Sequence, residues 1–226
     1  MKKMKLTVAG LCMLTFVGCS TNQGTGSLIG AGGGAVVGGI LGNIIGKNTK
    51  GTLIGAAIGG AIGTGAGTLI GHHMDKVKAE VAQKVENAKV EEVTDANGLS
   101  AVKVTFDSGL QFDLGKATLK SSSKNDLVKF AGVLKKDSQL AVDIQGYTDA
   151  TGGDAINVPL SNSRANAVKN YLASAGVGNS QFKNVAGYGS ENPIVNQDVA
   201  PQNRRVEVYL YASESMVNSA KNGTLK

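Results

Sequence analysis

A carboxylate and a guanidinium flank a glycine-rich stretch in the second half of the chain. Asp149 follows the apolar alternating run Leu140-Ala-Val-Asp-Ile-Gln, where a strand should end, and Arg164 lies in a helix-like segment further on. An anion and a fork-shaped donor held a few ångströms apart would bind a small zwitterion, because arginine binds a carboxylate bidentately. From the residues alone, the alternative is a structural ion pair between Asp149 and Arg164 that fixes the loop on the helix.

The same half of the chain is poor in groups for catalysis. A hydrolase or transferase needs a nucleophile with a base, or two facing carboxylates. After position 98 there is neither Cys nor His, and no Gly-x-Ser-x-Gly sequence occurs. His72 and His73 are neighbours, and adjacent helical positions diverge by about 100°, which makes them a poor pair for one metal ion. We therefore predict a noncatalytic protein with no metal and no cofactor.

The first residues indicate export. Three lysines precede an apolar run over 6–17 that is too short to span a bilayer, which is typical of a secretory signal peptide. The run ends in Phe16-Val17-Gly18-Cys19, which resembles the bacterial lipobox, although Phe16 replaces the more usual Leu. We predict a signal peptide over 1–18 and lipidation, including palmitate, at Cys19, followed by a linker over 19–25. The alternative is an ordinary signal peptide with an incidental cysteine.

Lipidation at Cys19 would leave no thiol in the mature chain, because Cys12 is removed with the signal, so no disulfide is expected. Ser20 follows the cysteine, and by resemblance to lipoprotein sorting in enteric bacteria this indicates a lipid anchor in the outer membrane with the C-terminal part in the periplasm. Loss of the three signal lysines lowers the formal net charge from +6 to +3, since 20 Lys and Arg then face 17 Asp and Glu. So mild a charge does not indicate a nucleic-acid partner.

Glycine recurs every fourth residue over 26–71, with one polar interruption at 47–50. The series is Gly26, Gly30, Gly34, Gly38, Gly42 and Gly46, then Gly51, Gly55, Gly59, Gly63, Gly67 and Gly71. A glycine costs a helix about 1 kcal/mol, and close approach of two backbones along a small-xxx-small face compensates for it. We interpret 26–73 as a helical hairpin, similar to the glycine zippers of outer-membrane lipoproteins, that associates with the membrane or with itself. The alternatives are a helical pair packed without entering lipid and a flexible linker.

The remaining sequence predicts an α/β domain. Over 74–98, the valine spacing indicates an amphipathic spacer helix to Val93, and Asp95-Ala-Asn-Gly98 indicates a turn. Over 99–212, the patterns predict β-α-β-α-β-β as a sandwich with a mixed sheet and helices on one face. The predicted elements are strands at 101–106, 140–147, 182–187 and 205–211 and helices at 121–135 and 161–175. Residues 213–226 are predicted to be a C-terminal tail.

Five motifs in this part of the chain occur in the order FDSGLQFDLGKATLK, GYTDATGG, LSNSRANAVKNYLASAGV, VAGYGSENPIVNQ and QNRRVEV. Together they resemble the OmpA C-terminal domain family, the peptidoglycan-binding module of outer-membrane proteins, over about 99–210. With the lipobox and the glycine ladder, the whole chain resembles the YiaD-type outer-membrane lipoproteins. The resemblance implies an OmpA-like sandwich whose partner is peptidoglycan, held through the diaminopimelate of its peptide stem.

The resemblance also implies the site residues. Asp149, after Thr148, would take the ligand's ammonium and Arg164 its carboxylate, and Asn157 matches the family's asparagine. The family's Asn-Arg-Arg-Val motif falls on Asn203 to Val206. It leaves open which of Arg204 and Arg205 faces the ligand, and we favour Arg205.

The sequence thus predicts a noncatalytic tether between the outer membrane and peptidoglycan. The alternative is a glycine-zipper homo-oligomer, or an outer-membrane assembly or stress factor, for which binding to the wall is secondary. A flagellar stator is disfavoured, because no acidic residue interrupts the apolar blocks to carry protons.

Overall fold

The computed structural model of the protein describes residues 62–107, 112–113 and 115–225. The predicted signal peptide, Cys19 and the glycine ladder before residue 62, with its hairpin tip, lie outside these residues.

Five strands form one mixed sheet in the order β1-β2-β5-β3-β4. The strands are β1 (Ala88–Thr94), β2 (Ser100–Asp107), β3 (Leu140–Tyr147), β4 (Phe182–Gly187) and β5 (Arg205–Ala212). Only the β3–β4 pair is parallel, and the other neighbours are antiparallel. The sheet confirms the predicted α/β fold class, and β5, the last strand in the chain, is inserted between β2 and β3.

Four α-helices share one apolar core with the sheet. They are α1 (Thr64–Lys84), α2 (Ser121–Lys136), α3 (Asp154–Ser174) and α4 (Glu214–Lys221). Each helix contributes fully buried side chains to this core, such as Ile70, Phe130, Val168 and Met216, together with alternate residues of β2, β3 and β5. The helices thus cover one face of the sheet, as predicted, and we name the opposite face, which no helix of the described residues covers, the helix-free face.

The predicted helix over 74–93 is wrong in its second half. Helix α1 ends at Lys84, and β1 follows from Ala88, because β1 pairs antiparallel with β2 across the turn at Asp95–Gly98. The amide of Asp95 donates to the Leu99 carbonyl at 2.9 Å, and Gly98 has the φ of 77° that such a turn needs. Strand pairing therefore overrides the helical spacing of the valines.

Helix α1 is part of the domain instead of a free spacer. It begins at Thr64, inside the glycine ladder, so the boundary expected between 73 and 74 falls within one helix. Its buried residues pack against α2, α4 and β2. No helix in the described residues is both long and apolar enough to cross a bilayer.

The predicted tail over 213–226 contains α4. Ser213 caps this helix by accepting from the Met216 amide at 3.3 Å, and Met216, Val217 and Ala220 are buried against α1 and the sheet. The apolar spacing of these three residues is a helical signal that the sequence analysis missed.

Helix α3 lies in backbone contact with β3 and β4 through two glycines. A Cβ on Gly146 would lie 2.1 Å from the Ser161 carbonyl oxygen, and one on Gly187 would lie 2.0 Å from the Asn162 nitrogen. Both would meet backbone atoms, which cannot rotate away. Only glycine at both positions allows this approach.

We predict that Gly146→Ala and Gly187→Ala each lower the free energy of unfolding by about 3 kcal/mol or more, because the helix must move away from the sheet. Urea unfolding monitored by circular dichroism measures the change. Gly132→Ala is the matched control: Gly132 lies inside α2 with no atom within 4 Å of the added methyl group, so alanine should stabilise the protein by up to ~1 kcal/mol. Equal effects at all three glycines would contradict the close approach.

The helix-free face is polar yet buried. Asp143 accepts from the Tyr211 hydroxyl at 2.9 Å and from the Asn184 amide at 3.0 Å. Burial raises the pKa of Asp143 to about 6, and these two hydrogen bonds oppose the shift. The folded protein therefore keeps a proton at pH values where the unfolded chain, with a carboxyl pKa near 4, has lost it.

This shift predicts a pH-dependent gain in stability for Asp143→Asn. The stability that the raised pKa contributes is present below about pH 4 and is lost as the pH rises to about 6. The variant, whose amide oxygen can still accept both bonds, should exceed the wild type by roughly 3 kcal/mol at pH 7 and by little at pH 4. Chemical denaturation at both pH values tests this, with the exposed Asp75→Asn as control. A gain for Asp143→Asn that is independent of pH would contradict the assignment.

Candidate functional site

Strand register brings the candidate residues together. Tyr147, the last residue of β3, is the cross-strand partner of Arg205, the first residue of β5. Asp149 lies just beyond β3 and Arg204 just before β5, so the two side chains meet at the same end of the sheet. Arg204 Nη1 donates to Asp149 Oδ2 at 2.8 Å, and the Thr151 hydroxyl donates to Asp149 Oδ1.

The loop from β3 to α3 is shorter than predicted. Gly152 and Gly153 have φ values of 93° and 70°, which favour glycine, and α3 begins at Asp154. The predicted start at Ser161 is therefore wrong, because Ser161 lies inside the helix. The earlier start places Asn157 on α3, where its Nδ2 donates to the Asp149 carbonyl at 3.1 Å.

Arg164 reaches the site from two turns further along α3. It is only 3% exposed; its Nε donates to the Lys116 carbonyl at 3.0 Å, and its guanidinium lies 5.3 Å from the ring centroid of Phe112. Within the described part of the chain, neither Nη atom has a hydrogen-bond partner, and no carboxylate lies within 4 Å of it. Burial lowers the pKa of Arg164, the nearby Arg204 lowers it further, and Asp149 opposes both.

The proposed ion pair between Asp149 and Arg164 is thus absent. The carboxylate is paired with Arg204, while the Nη atoms of Arg164, a buried residue, have no hydrogen-bond partner among the described residues. A second unsatisfied group is the hydroxyl of Thr148, which is buried without a hydrogen bond although its amide donates to the Gly189 carbonyl at 2.7 Å. Buried polar groups without partners are uncommon, and they point to an occupant such as a ligand or water.

Arg205 does not face this site, so our preference for it as the ligand-facing arginine is wrong. Its Nε donates to Glu207 Oε1 at 2.7 Å, and its guanidinium lies 3.9 Å from the ring centroid of Tyr147 on the helix-free face. Asn203 is also structural: its side chain binds the backbone of Ile194 and Val195 with three hydrogen bonds. The strand alternation puts Arg204 and Arg205 on opposite sides, and Arg204 is the one beside Asp149.

Charge and geometry suit a zwitterion. Asp149 contributes one negative charge, and Arg164 and Arg204 contribute two positive charges, so the cluster carries an excess of one. A carboxylate can accept about four hydrogen bonds, so Asp149 has room for an ammonium while it keeps Arg204 and Thr151. In the described part of the chain, no group of His, Cys, Asp and Glu side chains is arranged to hold a metal ion.

Three contributors to the site were not predicted from the sequence. These are Phe112 and the carbonyl of Lys116, which hold Arg164, and Thr151, which orients Asp149. Phe112 and Lys116 lie in the quoted motif FDSGLQFDLGKATLK, so the motif itself was a signal, but nothing in its spacing assigns them to Arg164.

Comparisons with known proteins agree with this fold. A sequence model described as the OmpA family matches residues 111–207, and one described as a YMGG-like Gly-zipper matches residues 1–75. The chain is 36% identical over 221 residues to probable lipoprotein YiaD of Escherichia coli, which covers 93% of this chain and 99% of YiaD. The chain therefore belongs to the OmpA family, and its similarity to probable lipoprotein YiaD extends over almost the whole length of both chains.

Two further relatives cover the C-terminal part. The peptidoglycan-binding protein ArfA of Mycobacterium tuberculosis is 37% identical over 112 residues, or 48% of this chain and 34% of ArfA, so the chain spans about a third of that relative. The crystal structure of a MotB-like protein from Desulfovibrio vulgaris superposes with a TM-score of 0.55 at 19% identity, over 65% of this chain and 98% of that one. This structural likeness concerns the fold alone.

Proposed function

We propose that the protein is a noncatalytic outer-membrane lipoprotein that tethers the membrane to peptidoglycan, by binding the diaminopimelate of the peptide stem. Membership of the OmpA family and the similarity to a protein named for peptidoglycan binding support the wall as partner. The observation that carries the ligand assignment is Arg164, a buried residue whose Nη atoms have no hydrogen-bond partner among the described residues.

The free end of diaminopimelate presents an ammonium and a carboxylate on one carbon. Arg164 would take the carboxylate, since the fork of its Nη atoms suits bidentate binding. Asp149 would take the ammonium, held in place by Arg204 and Thr151, and the unsatisfied Thr148 hydroxyl supplies one further donor or acceptor. Asn157 fixes the Asp149 backbone and is a supporting residue in this proposal.

Modest affinity is sufficient for a tether. Charge-assisted hydrogen bonds contribute roughly 1.5–3 kcal/mol each, so two or three give dissociation constants in the micromolar to millimolar range. The wall is a polymer beside an anchored protein, so the effective concentration of its peptide stems is high and compensates for the modest affinity. The anchor in this proposal is a lipidated Cys19, and the glycine ladder adds contacts with lipid or with a second copy of the chain.

The test is sedimentation of the full-length, detergent-solubilised protein with purified peptidoglycan sacculi. The full chain is required because a fragment beginning at Met74 would lose the buried Ala66 and Ile70 of α1. Asp149→Ala and Arg164→Ala should each reduce the pelleted fraction at least tenfold, because each removes a charged contact with the ligand. Thermal melting of each variant shows whether it remains folded.

Asp154→Ala is the matched control, since Asp154 is an exposed carboxylate five residues from Asp149 that makes no contact in the site. It should pellet like the wild type. Cys19→Ser should also bind sacculi but leave the membrane fraction of cells. If folded Asp149→Ala and Arg164→Ala proteins pellet like the wild type, the site does not bind the wall and the proposal fails.

A further inference from the structure

We infer that Arg205 is a positioning residue for ligand binding, which acts by holding Arg204 and the loop over 188–204 in place. This inference rests on the proposed function, and it assigns the two adjacent arginines different tasks. Arg204 contacts Asp149, whereas Arg205 contacts no residue of the candidate clamp formed by Thr148, Asp149 and Arg164.

Arg205 joins the end of β3, which leads into Asp149, to the start of β5, which follows Arg204. It is the cross-strand partner of Tyr147, and its guanidinium lies 3.9 Å from that ring centroid. Tyr147 immediately precedes Thr148 and Asp149, and its ring also stacks on Tyr188, with the centroids 5.6 Å apart. The contact with Tyr147 therefore fixes the end of β3 against the start of β5.

The same guanidinium binds the backbone of the loop over 188–204 at two places. Arg205 Nη2 donates to the Asn192 carbonyl at 3.0 Å, and Nη1 donates to the Asn203 carbonyl at 3.3 Å. Asn192 has a φ of 54°, the only positive value for a residue other than glycine in the described part of the chain, so its conformation needs support from its surroundings. Asn203 directly precedes Arg204, so the backbone of Arg204 is held from both neighbours.

A buried acid, Glu207, compensates for the positive charge of the buried Arg205. Glu207 accepts from Arg205 Nε at 2.7 Å through Oε1, and from the Tyr209 hydroxyl through Oε2. Arg205 and Glu207 are 3% and 4% exposed, so the pair is shielded from water and fully hydrogen-bonded. All three guanidinium nitrogens of Arg205 are engaged, and the side chain is therefore a rigid support.

Arg205→Lys is the informative substitution, because it keeps the positive charge beside Glu207 but cannot bind Glu207, Asn192 and Asn203 together. The test is an NMR chemical-shift titration with a tripeptide that ends in meso-diaminopimelate. This method measures dissociation constants into the millimolar range. In the wild-type background, Arg205→Lys should weaken binding about fivefold, as expected for coupling within one hydrogen-bonded network. In an Arg204→Gln background, which still binds weakly through Asp149 and Arg164, it should have little further effect.

Tyr211→Phe is the control for a purely structural loss. It removes the hydrogen bond from Tyr211 to Asp143 on the same helix-free face but touches no residue of the loop, and its affinity should equal that of the wild type. Unchanged binding by Arg205→Lys, or an equal loss in both the wild-type and the Arg204→Gln backgrounds, would overturn the positioning role.

Asp149→Ala in the same titration separates this inference from the proposed function. If Asp149→Ala binds the tripeptide as tightly as the wild type, the ligand does not occupy the clamp, and the proposed function fails together with the inference. If Asp149→Ala loses binding while Arg205→Lys keeps full affinity, the proposed function stands and only the role of Arg205 fails.

Discussion

Helix α3 lies so close to β3 and β4 that no side chain fits between their backbones at Gly146 and Gly187. This close approach determines the geometry of the candidate site, because Asn157 and Arg164 are carried by α3 while Asp149 follows β3. A helix at the usual distance from a sheet would be separated from it by a layer of side chains, and Arg164 would then reach a different point. The two glycines thus connect local backbone chemistry to the placement of a charged group.

The electrostatics of the site indicate why it suits a ligand with both signs of charge. Arg204 already neutralises Asp149, so the second guanidinium, that of the buried Arg164, has no counter-ion among the described residues. An unpaired buried charge is costly, and the lowered pKa of Arg164 has burial as its main cause. A carboxylate from a ligand would remove this cost, while an ammonium from the same ligand would find free acceptor positions on Asp149.

The sequence predicts an element correctly at those places where a single local pattern determines its structure. The strands at 140–147 and 182–187 were predicted with their observed bounds, because apolar alternation and flanking turns agree there. The start of α3 was predicted at Ser161 instead of Asp154, since the apolar spacing of Ala165, Val168 and Leu172 marks only the later part of this helix. The choice between Arg204 and Arg205 also could not be made from the sequence. Strand β5 is buried on both faces, so the alternation of its side chains does not show which face lies towards the site.

The remaining differences have two causes. The residues of β1 continue the helical valine spacing of α1, and only their pairing with β2 makes them a strand. The deciding partner of β1 is distant in sequence, so a local pattern could not identify it. Helix α4, by contrast, has a local helical spacing of apolar residues that the predicted tail left out, and it closes the core against α1.

The most direct test of the account compares two tripeptides that differ by one carboxylate, one ending in meso-diaminopimelate and the other in lysine. Their affinities for the full-length protein are measured by the same titration. If Arg164 binds the distal carboxylate, the diaminopimelate peptide should bind at least about tenfold more tightly, and Arg164→Ala should abolish the difference. Equal affinities for the two peptides in the wild-type protein would contradict the central claim that this site recognises a zwitterion.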